Sequence, residues 1–202
     1  MGTRNLTLVY YKGKYRIVQY GQYDGYPEGQ GLTALHFLLD ATNIADLQKV
    51  LDDGDNRIKL ISDEENDAYF EDLLQKQIET KSPPFPPIES LSRVTGAEIL
   101  EVVACATPEE PVTIHLKDME FLNDELFMEW AWVVDLDSGV LEAYTHWDRY
   151  KIVDEKSRFV DVLGSEKKLP GLVKRFGFDE LPKYDREFLE VFNALLADAD
   201  EY

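Results

Sequence analysis

The sequence predicts an α+β fold in which helices pack on an antiparallel or mixed sheet. Two segments, 6–20 and 127–144, have the pattern of a β-hairpin, with arms rich in β-branched and aromatic residues on either side of a turn. Several other stretches repeat apolar residues at helical spacing. The length of 202 residues fits a single domain, 1–202. The Pro-rich segment 82–87 is the candidate connector between subdomains, because proline fits neither a helix interior nor a central strand.

The two predicted hairpins differ in their turns. In the first, LTLVYYKGKYRIVQY, Lys12-Gly13 supplies the turn, since Gly13 can adopt the positive φ that such turns need. Both faces of its first arm carry apolar residues, so we expect this hairpin inside the sheet rather than at a bare edge. In the second, Asp137-Ser138-Gly139 separates two β-rich arms.

Helical patterns lie between and after the hairpins. The helices are predicted from Leu32 onward and over about 42–51, 63–79, 95–106 and 185–199, with short strands at 57–61 and 111–116. We expect Thr42-Asn43 to cap the second helix, and Ser62 with Glu65 to form a capping box for the third. His36 lies on an apparently apolar helix face and is expected in the core. Cys105 is expected to be buried and inert.

The charge of the chain favours some partners over others. It has 21 Lys and Arg against 40 Asp and Glu, a formal net charge of −19. Direct binding of nucleic acid is disfavoured, because it depends on basic residues that neutralise phosphates. Another protein is the expected partner, including a basic DNA-binding protein whose site an acidic surface could occupy by imitating DNA. A simpler explanation is that the charge keeps the protein soluble and monomeric.

Several classes of protein are disfavoured by composition. No apolar run is long enough to span a bilayer, and no apolar segment follows a basic start as in a signal peptide. One cysteine excludes an intrachain disulfide. We therefore expect a cytoplasmic protein without membrane contact. The three histidines lack metal-ligand spacing, so neither a metal nor a cofactor is expected.

Residues 19–31, QYGQYDGYPEGQG, form the most unusual segment. Its amides and phenols suit a polar, neutral ligand such as a sugar or a nucleobase. The candidate ligand-binding residues are Gln19, Gln22, Tyr23, Asp24, Tyr26 and Gln30. The same side chains could instead hold the loop to the sheet by hydrogen bonds. Gly29-Gln30-Gly31 before a helix could bind an anion, but it lacks a nucleotide-binding motif and is better explained as a tight turn.

The first 31 residues, MGTRNLTLVYYKGKYRIVQYGQYDGYPEGQG, resemble an uncharacterised group of fungal, bacterial and phage proteins. The shared pattern is MGTR, a β-hairpin, and then QYGQ, an aromatic residue and DGYPxGQG. The stretch EWAWVVDLDSGVLEAY is similar to the second hairpin of that group. Tyr23 departs from the group, which has Trp at this place. The resemblance implies relatedness but no activity.

Two classes of function follow. The first is an acidic, non-catalytic binding or inhibitor protein, which in a phage would be a counter-defence protein or a DNA mimic. The second is a small-molecule binder or an enzyme at the first hairpin and the 19–31 loop. Its enzymatic form is a hydrolase with an N-terminal nucleophile. The weak catalytic candidates are Thr3, Arg4, Asp24 and His146, with Asp24 as the expected partner of Arg4.

Overall fold

The computed structural model describes residues 2–80, 89–117, 119–150, 152–153 and 155–196. Its strands are β1 Asn5–Tyr11, β2 Lys14–Gly21, β3 Ile58–Ile61, β4 Val112–His115, β5 Trp130–Asp135, β6 Val140–Thr145 and β7 Gly171–Gly177. Its α-helices are α1 Leu32–Leu38, α2 Ala41–Asp53, α3 Asp63–Thr80, α4 Ile99–Ala104, α5 Val160–Leu163 and α6 Asp185–Ala194. Short 3-10 turns join them, and Pro27–Gly31 forms a π-helical turn that leads into α1.

A mixed five-stranded sheet is the centre of the fold. The strand order is β2-β1-β5-β6-β7, with β1 parallel to β5 and all other neighbours antiparallel. The two predicted hairpins are β1-β2 and β5-β6, so the sheet brings them side by side. Two further strands, β3 and β4, form a small parallel sheet. The predicted α+β class with a mixed sheet is confirmed.

The turns of the two hairpins are joined by hydrogen bonds. Lys12 has a φ of 52° and Gly13 a φ of 73°, the left-handed conformation that a two-residue hairpin turn requires. The backbone N–H groups of both residues donate to the carboxylate of Asp137, at 2.8 and 2.9 Å. This carboxylate thereby stabilises the turn of the other hairpin, which explains why Lys12 tolerates a positive φ.

The apolar faces of the first hairpin predicted that it lies inside the sheet. This holds for only one of its two strands. β1 is an interior strand, whereas β2 is the last strand of the sheet. The edge of β2 is nevertheless covered. The N–H of Lys117 donates to the carbonyl of Val18 at 2.8 Å, and the N–H of Gln22 donates to the carbonyl of Arg93 at 2.7 Å. Irregular chain thus satisfies backbone groups that would otherwise be open to pairing with another strand.

Both faces of the sheet are buried. On one face α1, α2, α4 and α6 pack against the side chains of Val9, Trp132 and Val134. On the other face a smaller core surrounds Leu8 and Tyr144, and the chain between β4 and β5 and between β6 and β7 covers it. Coverage of both faces explains why successive residues of β1 and β5 are buried, rather than alternating between buried and exposed.

Buried charges join the β6–β7 segment to the sheet. Arg158 forms ion pairs with Asp135 (2.7 Å) and with Glu142, whose side chain is 3% exposed. Arg175 also pairs with Glu142, at 2.7 Å. The guanidinium of Arg158 lies 5.0 Å from the ring centre of Tyr10. Each buried carboxylate therefore has a cationic partner, as a charge removed from water requires.

Two helix caps illustrate local sequence signals. The capping box is confirmed, since the Glu65 N–H donates to the Ser62 Oγ at 3.2 Å and the Ser62 N–H donates to the Glu65 carboxylate at 3.0 Å. For α2 the predicted cap was wrong. The residue before the helix, Asp40, is extended and its carboxylate accepts from the N–H of Thr42 at 2.8 Å. Thr42 and Asn43 are already inside the helix.

Two predictions of burial were also wrong. His36 is exposed, and its Nε2 lies 2.7 Å from a carboxylate oxygen of Asp185. The buried side of α1 is formed by its other residues, Ala34, Leu35, Phe37 and Leu38. Cys105 is exposed as well. It follows the last residue of α4, whose buried residues, Ile99, Leu100 and Val103, leave position 105 on the outer side.

Some expectations fall outside the described chain. The proposed connector at 82–87 is not described. The C-terminal helix, predicted over 185–199, ends at Ala194, and positions 197–199 of that prediction lie outside the described residues. Among the residues that are described, no helix is both long and apolar enough to cross a membrane.

Candidate functional site

A cavity of about 690 Å³ lies beside the sheet edge formed by β2. One wall is the end of β2, with Gln19 and Tyr20, and Arg4 just before β1. A second wall is the chain over 90–93 and 115–117, which also covers the β2 edge. The third is the first half of α3. The volume falls in the range of about 300 to 1,000 Å³ that is typical of small-molecule sites.

Three cations line this cavity: Arg4, Arg93 and Lys117. They come from three separate segments, and the two backbone hydrogen bonds to the β2 edge bring Arg93 and Lys117 to the same end of the sheet. Within the described parts of the chain, none of the three forms an ion pair with a carboxylate. The charge of Arg4 nevertheless acts on the carboxyl group of Glu129, where it partly opposes the rise in pKa that burial causes. The three cations give this side of the cavity a positive charge that suits an anion.

Tyr20 lines the cavity together with Arg4 and Arg93. Its hydroxyl donates to the side-chain oxygen of Gln22 at 2.7 Å. Burial raises the pKa of Tyr20 above its usual value, and the positive charges of Arg4 and Arg93 partly oppose that shift. Tyr20 therefore lies within the electrostatic field of both arginines.

Aromatic rings lie beside the cations. The rings of Tyr20 and Phe121 meet edge to face, with their centres 5.5 Å apart. The Nζ of Lys117 is 5.8 Å from the centre of the Phe121 ring, and the guanidinium of Arg4 is 4.5 Å from that of Phe127. Phe127 is 42% exposed, although it is a large apolar side chain. The cavity thus combines positive charge with apolar surface.

The α3 wall carries the opposite charge. Asp63, Asn66, Asp67 and Phe70 line the cavity from one face of the helix, at spacings of three and four residues. The Nε2 of His115 lies 2.7 Å from a carboxylate oxygen of Asp63. This contact follows from the small sheet: β3 and β4 are parallel, Ile61 pairs with His115, and Asp63 begins α3 just after β3. The two parallel strands therefore end at the cavity.

Only part of the predicted site faces this cavity. Gln19 and Arg4 line it, whereas Thr3, Asp24 and His146 do not. Arg4 and Asp24 do not form the ion pair that we expected. Asp24 instead accepts a hydrogen bond from the Tyr26 hydroxyl at 2.8 Å. The Nε2 of His146 lies 2.9 Å from the carbonyl of Leu122. The carbonyl of Thr3 accepts from the N–H of Gly25 at 3.0 Å. The four catalytic candidates are thus not one cluster.

The polar groups of the 19–31 loop hold its backbone in place. The side-chain amide of Asn5 donates to the carbonyls of Gly21 and Tyr23, at 3.2 and 3.1 Å. The amide oxygen of Gln30 accepts from the N–H of Ala97 at 2.5 Å. Gly25 leaves no room for a side chain, because a Cβ there would lie 2.8 Å from the Cβ of Asn5. Ligand binding by this loop stays a prediction, and its scaffold role has direct support.

Sequence reasoning missed most of the cavity. Arg93, Lys117 and His115 were not recognised, and neither was the cavity face of α3. The sequence offered one indication of the two cations Arg93 and Lys117: basic residues are rare in the acidic middle of the chain, so each one stands out. No local motif connects them, because they meet only through the pairing of β3 with β4 and through the covered edge of β2.

Comparisons with protein-family models, with curated proteins and with solved structures found no match. The resemblance of the first 31 residues to an uncharacterised group therefore stays a prediction. In the described residues no three His, Cys, Asp or Glu side chains are grouped to hold a metal ion.

Proposed function

We propose that this protein binds a small anionic molecule in the cavity beside β2. The observation that carries the proposal is that Arg4, Arg93 and Lys117 line one cavity, without ion-pair partners among the described residues, in a chain with a net charge of −19. Like charges placed together repel one another, and a bound anion would remove that cost. The neighbouring aromatic rings would contact an apolar part of the ligand.

The experiment is a binding measurement on Arg93→Ala. The side chain of Arg93 is exposed, and its backbone carbonyl rather than its guanidinium holds the β2 edge, so the fold should be preserved. A panel of small anions is screened by thermal shift, and hits are measured by calorimetry. We expect Arg93→Ala to weaken binding by about 10- to 100-fold, the effect of one lost charge-assisted hydrogen bond.

The matched control is Arg186→Ala, which removes an exposed arginine from α6. Its affinity should stay within about twofold of the wild type, since its charge is far from the cavity and screened by water. Equal loss in both variants would show a general charge effect and contradict the proposal. A hydrolase centred on Thr3 and His146 draws no support from this cavity, because neither residue lines it.

A second candidate is the acidic binding or inhibitor protein expected from the composition. One element favours it: α3 carries seven acidic residues and one lysine, and none of its residues is buried. Leu74 and Ile78, one turn apart on this helix, are 57% and 66% exposed. Apolar residues flanked by acids suit a basic, amphipathic partner surface, such as that of a DNA-binding protein.

This candidate is tested by replacing the two exposed apolar residues of α3 with glutamate. The double variant Leu74→Glu, Ile78→Glu is compared with Leu126→Glu, which alters another residue that is 77% exposed. Proteins that copurify from the native host are identified by mass spectrometry. We expect a basic partner that the double variant loses and that Leu126→Glu keeps. A partner that both variants retain would exclude α3 as its binding surface.

A further inference from the structure

The cavity has two chemically different sides, and together they restrict the ligand. The side at the β2 edge offers Arg4, Arg93 and Lys117, and the α3 side offers Asp63, Asn66 and Asp67. A ligand that was anionic throughout would be repelled by α3. A ligand with a single anionic end can place that end on the cations and hydrogen-bond donors on the carboxylates, which only accept when ionised.

The cationic side matches a doubly charged group better than a carboxylate. A carboxylate has one negative charge and two oxygens, whereas a phosphate monoester has a charge of about −1.5 to −2 at pH 7 and three acceptor oxygens. Arg4 and Arg93 line the same cavity, and guanidinium forks bind phosphate in a bidentate manner. Lys117 adds a third donor group.

The α3 side is suited to hydroxyl or amine groups. Asp63 uses one carboxylate oxygen in its contact with His115, whereas Asp67 is exposed and has no such contact among the described residues, which makes Asp67 the better acceptor for a ligand. Phe70 on α3 and Phe127 beside Arg4 supply apolar surface to the cavity. We infer that the ligand is a phosphate monoester that carries hydroxyl or amine donors, with its phosphate on the three cations and a donor on Asp67. This inference rests on the proposed function, that the cavity binds a small anion.

The experiment compares phosphate monoesters that differ in their donors. Calorimetry on the full chain measures ribose 5-phosphate, AMP and phenyl phosphate, which have the same anionic group. Phenyl phosphate lacks hydroxyl and amine donors. We expect ribose 5-phosphate or AMP to bind about 10-fold more tightly than phenyl phosphate, as expected for one hydrogen bond to a charged group. Tighter binding of ribose 5-phosphate would identify the ligand as a sugar phosphate, and tighter binding of AMP would identify it as a nucleoside phosphate.

Asp67→Asn is the decisive variant, and Asp72→Asn is its matched control. Both substitutions lie on α3, but Asp72 is on the opposite face, away from the cavity lining, in an exposed pair with Lys76. We expect Asp67→Asn to reduce the preference for ribose 5-phosphate or AMP over phenyl phosphate to below about threefold. The affinity for phenyl phosphate should rise rather than fall, because the substitution removes a negative charge from the cavity that holds the phosphate. Asp72→Asn should bind ribose 5-phosphate or AMP more tightly than phenyl phosphate by the same factor as the wild type. Helical and sheet content measured by circular dichroism verifies that both variants fold.

Failure of this inference is distinguishable from failure of the proposed function. Equal binding of all three esters, or a preference that survives in Asp67→Asn, overturns the inference while anion binding stands. Binding of citrate but of no phosphate ester, lost in Arg93→Ala, also overturns the inference alone. If no anion binds with a dependence on Arg93, the proposed function fails and this inference fails with it.

Discussion

At the scale of single residues, Arg158 is the best example of a side chain whose role depends on burial. Its own side chain is 18% exposed, and it neutralises Asp135 and Glu142, which are 7% and 3% exposed. Its Nε also donates to the hydroxyl of Tyr15 at 3.2 Å. An exposed ion pair contributes little to stability, whereas a buried carboxylate left without its partner is strongly destabilising.

We therefore expect Arg158→Met to lower the free energy of unfolding by about 3 to 5 kcal/mol. Urea denaturation at pH 7 measures the change. The control is Arg186→Met, which breaks a pair between side chains that are 87% and 57% exposed and should change stability by less than about 1 kcal/mol. A loss of similar size in both variants would contradict the structural role assigned to Arg158.

At the scale of elements, α3 stands apart from the other helices. It spans 18 residues, none of which is buried. Three acidic residues in its first turn interact favourably with the positive end of the helix dipole. The capping box with Ser62 satisfies backbone N–H groups at the same end. The beginning of α3 is therefore its most stable part. Because this helix forms one side of the cavity, its local stability bears directly on binding.

Ser62→Ala should destabilise α3 by about 1 kcal/mol, the usual effect of losing a helix cap. The expected readout is faster amide hydrogen exchange in α3, with unchanged exchange in β1 and β5. Ser165→Ala, at an exposed turn position, is the control and should alter neither region. Equal acceleration in α3 and in the central strands would mean that the cap affects the whole domain rather than one helix.

At the scale of the whole molecule, the net charge of −19 opposes compaction. Ion pairs and the buried network offset this repulsion locally, but the acidic residues of α3 remain exposed and uncompensated except by Lys76. Salt shortens the range of such repulsion, from about 30 Å at 0.01 M to about 3 Å at 1 M. Added salt should therefore weaken the repulsion between acidic residues and stabilise the folded state.

We expect the midpoint of thermal unfolding at pH 7 to rise as sodium chloride is increased from about 0.01 to about 0.5 M. The same series near pH 4.4, the isoelectric point, is the control and should show little change because the net charge is then close to zero. Differential scanning calorimetry measures both series. A midpoint that falls with salt at pH 7 would show that attractive ion pairs outweigh the net repulsion.

Elements with a strong local signal could be predicted from the sequence. The Lys12-Gly13 turn, the β5-β6 hairpin and the Ser62 capping box depend on residues that are close in the chain, so their pattern is sufficient. Strand β7 was missed, because a single strand without a hairpin partner next to it in the sequence has no turn signal. His36 and Cys105 were misplaced, because burial depends on which side of a helix meets another element.

The sequence by itself determined the acidic charge, the two hairpins and the α+β class, because these depend on composition and on short-range backbone preferences. Only the tertiary structure decided the candidate site. Arg4, Arg93 and Lys117 lie far apart in the chain, and no spacing rule relates them. They share a cavity because backbone hydrogen bonds attach two irregular segments to the edge of β2, and the parallel pairing of β3 with β4 places the start of α3 at the same cavity.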